Sequence, residues 1–197
     1  GVTNPGIDAM RRFSQSVMQS GAAGVMIAPI PGLLTELKQC NYFQQVCEML
    51  GPNIPICLQD YPVANGVQFG VETILKLTTE LSQIVMFKHE DWPGLNKLTR
   101  VRQESGVNEI PPMSIVVGNA GLFLPQELQR GADGAMTGFA YPEMLRQVVD
   151  LHKAGEIDRS EDLFDAYLPM VRYEQQFGIG LAIRKEILHR RGVLKNA

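Results

Sequence analysis

Five short apolar runs, each followed by a longer stretch with helical period, constrain this chain more than any other feature. The runs lie at 24–28, 54–58, 84–87, 114–117 and 134–137. The helical stretches lie at 8–20 ahead of the first run and then at 33–50, 71–81, 95–105 and 125–130. Short β-branched runs separated by helix-length crossovers are the pattern of βα units on a parallel sheet, since a parallel strand is covered on both faces and carries little polar alternation. After the last run the pattern is wholly helical, at 142–154, 159–173 and 179–191. The expectation is an α/β domain over 1–140 and a helical segment over 141–197.

Composition narrows the partners. The 197 residues carry 18 basic and 21 acidic side chains, a net charge of -3, with no basic stripe interleaved with aromatics, so nucleic acid is not expected. No apolar run approaches the roughly 18 residues that a membrane span requires, and the first residues lack the basic-then-apolar layout of a signal peptide. Cys40, Cys47 and Cys57 are odd in number and scattered, which reads as reduced thiols in a cytoplasmic protein. No His, Cys or carboxylate cluster has metal-ligand spacing, so neither a metal nor another cofactor is expected. What remains is a small-molecule ligand.

The runs end at polar or glycine-rich positions: Pro29, Gln59-Asp60, Lys88-His89-Glu90, Gly118-Asn119 and Thr137-Gly138. In parallel α/β folds the groups that act on a ligand gather at the carboxyl ends of the strands. Lys88 is the most telling of them, because it closes the apolar run Ile84-Val85-Met86-Phe87. At the rim of a core, desolvation disfavours an ammonium, and a neutral amine can attack a ketone to form a Schiff base. The plain alternative is a snorkelling lysine with a packed stem and a solvated head.

Several blocks in order resemble the dihydrodipicolinate synthase and N-acetylneuraminate lyase family of Schiff-base aldolases and dehydratases. They are Ser20-Gly21-Ala22-Ala23-Gly24 before the first run, Asn53-Ile54-Pro55-Ile56 leading to Asp60-Tyr61-Pro62, then Phe87-Lys88-His89-Glu90, and finally Gly131-Ala132-Asp133-Gly134-Ala135-Met136-Thr137-Gly138. The resemblance implies a (β/α)8 barrel with a C-terminal helical bundle, a homo-oligomer, and a lysine at the end of the sixth strand that binds a 2-keto acid. Lys88 falls at that position. Five units are countable where the family uses eight, so the expectation for 1–140 is a partial barrel without its first three strands. Gly1-Val2-Thr3-Asn4 then reads as the exit of the third, and Thr3 as a substrate contact. The chain is expected to be a piece of a longer product, poorly active alone, with an exposed strand edge at 24–28.

Departures from the family pattern shape the functional expectation. Gln59 stands where the family has its catalytic tyrosine, three residues before Pro62. The stretch Pro29-Ile30-Pro31-Gly32 lacks the second tyrosine, and Ala64 stands where the synthases place an arginine. The Gln-Asp-x-Pro-Val and Phe-Lys-x-Glu segments resemble instead the branch that dehydrates 2-keto-3-deoxy sugar acids. An iminium on Lys88 would acidify the neighbouring carbon and allow a hydroxyl one carbon further out to leave. Lys88, Gln59 and Glu90 are the catalytic candidates. Asp60, Tyr61, Gly118, Asn119, Thr137 and Thr3 are the candidates for substrate contact, Asp60 having a turn role as its alternative. Other readings stay open: a class I aldolase releasing pyruvate, a 2-keto acid binder without turnover, and a structural α/β domain. His89 is set aside, because neighbours on a strand point to opposite faces.

Overall fold

The computed structural model describes residues 1–197 and divides into two compact units, Gly1–Ile115 and Val116–Ala197. The division falls inside a strand, whereas a partition by element type falls where the helical segment begins.

The first unit carries α1 (Ile7–Gln19), β1 (Val25–Ile27), α2 (Glu36–Leu50), β2 (Ile56–Asp60), the short α3 (Pro62–Asn65), α4 (Val71–Glu80), β3 (Ile84–His89) and α5 (Leu95–Glu104). β1 pairs with β2 and β2 with β3, both parallel. Each helix offers one apolar stripe: α2 buries Cys40, Phe43, Val46, Cys47 and Leu50, the i, i+3, i+4, i+7 spacing of a core-facing helix. Thr35 caps that helix by accepting the Lys38 N–H, and Gly51 ends it at φ 78°, a left-handed position that favours glycine.

β2 starts two residues later than the sequence reading placed it, because Pro55 has no N–H to give to the ladder. It also runs two residues further. Gln59 pairs with Lys88 and Asp60 with His89, so these residues lie within the strands rather than beyond them. The polarity that marks them in the sequence as loop belongs to the last rungs of the sheet. The helix Pro62–Asn65 was not expected; it starts on a proline at its first position, where the missing N–H costs nothing, and ends on Gly66 at φ 71°.

One irregularity sets the faces. Ile56 pairs with Ile84, but Cys57 pairs with Met86, so Val85 is an extra residue in β3. Such a bulge re-aims the side chains that follow it. In a regular strand Lys88 would share the face of Ile84. After the bulge, Met86 and Lys88 join Cys57 and Gln59 on one face, while Phe87 and His89 join Leu58 and Asp60 on the other. Leu58 and Phe87 are wholly buried under the helices, and Val85 is 47% exposed. The edge of β1 is not bare: Val2 N–H donates to Met26 O at 3.0 Å, and Thr3 Oγ1 accepts the Ala28 N–H at 2.8 Å.

In the second unit β4 (Ser114–Val117) enters from the first, and β5 (Gly134–Ala135) pairs parallel with it through Val116 to Gly134 and Val117 to Ala135. Around them lie α6 (Leu124–Gln129), α7 (Pro142–Lys153), α8 (Ile157–Glu174) and α9 (Gly180–Arg190). Leu124, Leu128, Met144, Leu145, Val148, Phe164 and Val171 form its core. No helix is long and apolar enough to cross a membrane.

Candidate active site

The last rungs of β2 and β3 place three polar side chains together. Lys88 Nζ lies 3.3 Å from Glu90 Oε2, and both side chains are nearly buried, 11% and 7% exposed. The same Glu90 oxygen accepts the Gln59 side-chain N–H at 2.7 Å. Glu90 sits just past β3, yet its backbone N–H still donates to Asp60 O at 2.8 Å, so the ladder continues and Glu90 shares the face of Lys88. An amine, a carboxylate that can take its proton, and an amide that holds the carboxylate are thereby fixed by sheet geometry rather than by a loop. The Gln59 bond has the short length typical of a hydrogen bond to a charged acceptor, whereas Lys88 meets the same oxygen at ion-pair distance.

Tyr61 stands at the turn between β2 and α3, half-buried. Its phenol is pushed above the ordinary range chiefly by burial and secondarily by the negative charge of Glu90, which sets it within electrostatic reach of that carboxylate. Thr3 caps the exit of β1 through the Ala28 N–H.

Asp60 does not join this group, which corrects its placement as a substrate contact. Its side chain is fully buried on the opposite face, where Oδ2 meets Lys97 Nζ of α5 at 2.9 Å. The cause is the strand alternation that puts Gln59 on one face and its neighbour on the other. Burial raises the Asp60 carboxyl to about 6, with Lys97 and, more weakly, the Phe69 N–H pulling the other way. His89 lies on the same side, 3.9 Å from Asp60 Oδ2, with Nε2 donating to Gly94 O at 3.0 Å. Burial and the nearby Lys97 charge lower its imidazole to about 4, which keeps the ring neutral at pH 7. Gly94 is required here, since a Cβ at that position would lie 2.3 Å from His89 Nε2 and 2.5 Å from Asp91 O.

Gly118, Asn119 and Thr137 belong to the second unit. The exit of β4 is a tight left-handed turn, with φ 52° at Asn119, 55° at Ala120 and 76° at Gly121. Thr137 Oγ1 holds that turn by accepting the Ala120 N–H at 2.8 Å. Sequence reasoning missed Lys97, which lies in an ordinary helical stretch and carries no signal until the fold brings α5 against the strands. No group of three His, Cys, Asp or Glu side chains is arranged to hold a metal ion.

The solved dihydrodipicolinate synthase from Rhodopseudomonas palustris superposes on the whole of this chain with a TM-score of 0.96 and 48% identity, and the chain covers 65% of that structure. The chain is similar over its whole length to this dihydrodipicolinate synthase. Among curated proteins, L-2-keto-3-deoxyarabonate dehydratase of Azospirillum brasilense is 28% identical over 185 residues, which are 92% of this chain and 58% of that protein. The 4-hydroxy-tetrahydrodipicolinate synthase of Methanococcus maripaludis strain C5 is 26% identical over 163 residues, 81% of this chain and 53% of that protein. The chain thus spans about half the length of the curated relatives it matches. No protein-family model matches it. Set against that solved structure, the five βα units and the helices after them are a partial (β/α)8 barrel with its C-terminal helical part, as the sequence pattern and its resemblance implied.

Proposed function

We propose that this chain carries the imine-forming part of a Schiff-base lyase acting on a 2-keto acid, and that the reaction is dehydration of a 2-keto-3-deoxy sugar acid. The observation that carries the reading is the Lys88–Glu90–Gln59 arrangement at the paired ends of two strands. Glu90 takes a proton from the Lys88 ammonium. The freed amine adds to the ketone carbon, and the carbinolamine loses water to give an iminium. That electron sink acidifies the adjacent carbon, whose proton passes to Glu90, a carboxylate again once it has given its first proton to the departing water. The enamine electrons expel the hydroxyl one carbon further out as water when an acid protonates it. Hydrolysis of the imine then returns Lys88 and consumes the water released in forming it.

Gln59 favours dehydration over the synthase reaction. An amide orients a hydroxyl or a carboxylate by hydrogen bonding but does not relay protons as a phenol does. The family's dehydratase member in Azospirillum brasilense supports the same choice. The active form is read as a cytoplasmic homo-oligomer. The test is product analysis of the full encoded protein with 2-keto-3-deoxy sugar acids. Dehydration gives a semialdehyde-type keto acid and water; aldol cleavage gives pyruvate and an aldehyde and would overturn the proposal. Turnover surviving Lys88→Ala would overturn the imine itself.

A further inference from the structure

The helix-facing side of β2 and β3 holds a buried charged cluster that the chemistry above does not use. Lys97 Nζ lies 2.9 Å from Asp60 Oδ2 and 2.6 Å from Asp91 Oδ2, with side-chain exposures of 12%, 0% and 7% for Lys97, Asp60 and Asp91. Gln68 donates to the same Asp91 oxygen at 2.9 Å, and the Trp92 N–H donates to Asp91 Oδ1 at 2.8 Å. His89 completes the group. Two carboxylates share one ammonium, and Asp60 Oδ1 and His89 Nδ1 have no well-formed hydrogen bond. As a stabiliser this is a poor choice, because desolvating such charges costs about as much as their attraction returns, and a packed apolar set of similar volume does as well or better.

What the cluster does supply is geometry. The outer residues Asp60, His89 and Asp91 alternate in sequence with the inner residues Gln59, Lys88 and Glu90. One backbone bond, Glu90 N–H to Asp60 O at 2.8 Å, couples the two rows. Through a single ammonium, α5 grips the end of β2 at Asp60 and the segment after β3 at Asp91. Those two points flank the residue that carries the Glu90 carboxylate. A release of either grip frees the Glu90 backbone to move relative to Lys88, which leaves the amine in place on its strand while its proton acceptor drifts.

We propose that Lys97 is a positioning residue for the Lys88–Glu90 pair, acting through Asp60 and Asp91 without touching substrate. The proposal rests on the reading of Lys88 as the imine-forming amine. Reaction rates of this kind are sensitive to placement, and a shift of about 1 Å remote from the chemistry can cost on the order of 100-fold.

The experiment measures borohydride trapping of pyruvate on Lys88 in the full encoded protein, as a rate against pyruvate concentration, beside thermal unfolding. Lys97→Met should lower the saturating trapping rate roughly 10- to 100-fold, with the half-saturating pyruvate concentration changed less than about threefold. The double variant Asp60→Asn with Lys97→Met removes the uncompensated Asp60 charge, so it should recover most of the lost melting temperature while the trapping rate stays low. Lys97→Arg, which keeps the cation, should retain a rate well above that of Lys97→Met. A trapping rate that recovers in step with melting temperature, or a Lys97→Met rate equal to the unsubstituted one, overturns the positioning role. No trapping in the unsubstituted protein overturns the underlying reading of Lys88 together with it. Should the double variant fail to fold, the comparison of Lys97→Arg with Lys97→Met at temperatures below both transitions decides the matter.

Discussion

Gln59 and Lys88 are direct partners across the parallel ladder of β2 and β3, and the residue two beyond Lys88 returns to bond with Gln59. The carboxylate proposed to accept the amine's proton is therefore held by both strands at once. Glu90→Gln keeps the size of the side chain and removes its basicity, so kcat should fall roughly 100- to 1,000-fold, within the range for loss of a general base. Gln59→Leu leaves the base but frees its orientation and should cost about tenfold. Steady-state kinetics on the two variants separates the roles, and equal losses would contradict them.

Asp60 and His89 make opposite demands on pH. The Asp60 carboxyl, raised from 3.8 to about 6 by burial, binds a proton in the native state that the unfolded chain has already lost, so its contribution to stability falls as pH rises from about 4 to about 6. The His89 imidazole, lowered from 6.5 to about 4, is protonated more readily in the unfolded chain, so its contribution rises with pH between about 4 and 6.5. Each is worth about 3 kcal/mol across its window. The unsubstituted protein should show a shallow dependence there. Asp60→Asn should gain stability with rising pH, and His89→Asn should lose it. Urea unfolding at a series of pH values reads the two slopes, and slopes of the same sign would contradict the assignment.

Gly94→Ala should destabilise the first unit by about 1 to 3 kcal/mol, because the new methyl group enters the space of the His89 ring and the Asp91 carbonyl. A fall in melting temperature with a loss of trapping is expected, since that turn also carries Asp91. An unchanged melting temperature would show that the ring can move aside.

In the second unit Glu174 is wholly buried, accepts the Ala140 N–H at 3.0 Å and pairs with Arg184. Arg184→Met leaves that carboxylate buried without its cation and should cost about 3 kcal/mol. Adding Glu174→Gln should recover part of the loss, because a neutral amide is far cheaper to bury. Denaturant unfolding of the single and double variants measures the difference, and additive losses would contradict the pairing.

The alternation of strands and helices was legible because it rests on local pattern: all five runs fall within two residues of the observed strands at each end, and the helix bounds differ by only a few residues. Lys88 was legible because a basic residue after four apolar ones is conspicuous. The faces were less so. The expectation that Lys88 and His89 diverge follows from alternation, but which of them meets Gln59 depends on the extra residue Val85, and nothing in Ile84-Val85-Met86 announces a bulge. Asp60 was drawn toward the site because adjacent polar residues look alike in a sequence, whereas one position on a strand is the difference between its two faces. Lys97 was invisible because its importance comes from α5 packing against residues that precede it by 37 positions in the chain.

The most direct measurement of the central claim is borohydride reduction of the full encoded protein in the presence of pyruvate, followed by peptide mapping by mass spectrometry. A single reduced adduct on Lys88 is expected, absent in Lys88→Ala and slowed in Glu90→Gln. An adduct on Lys97 or another lysine, or none at all, would contradict it.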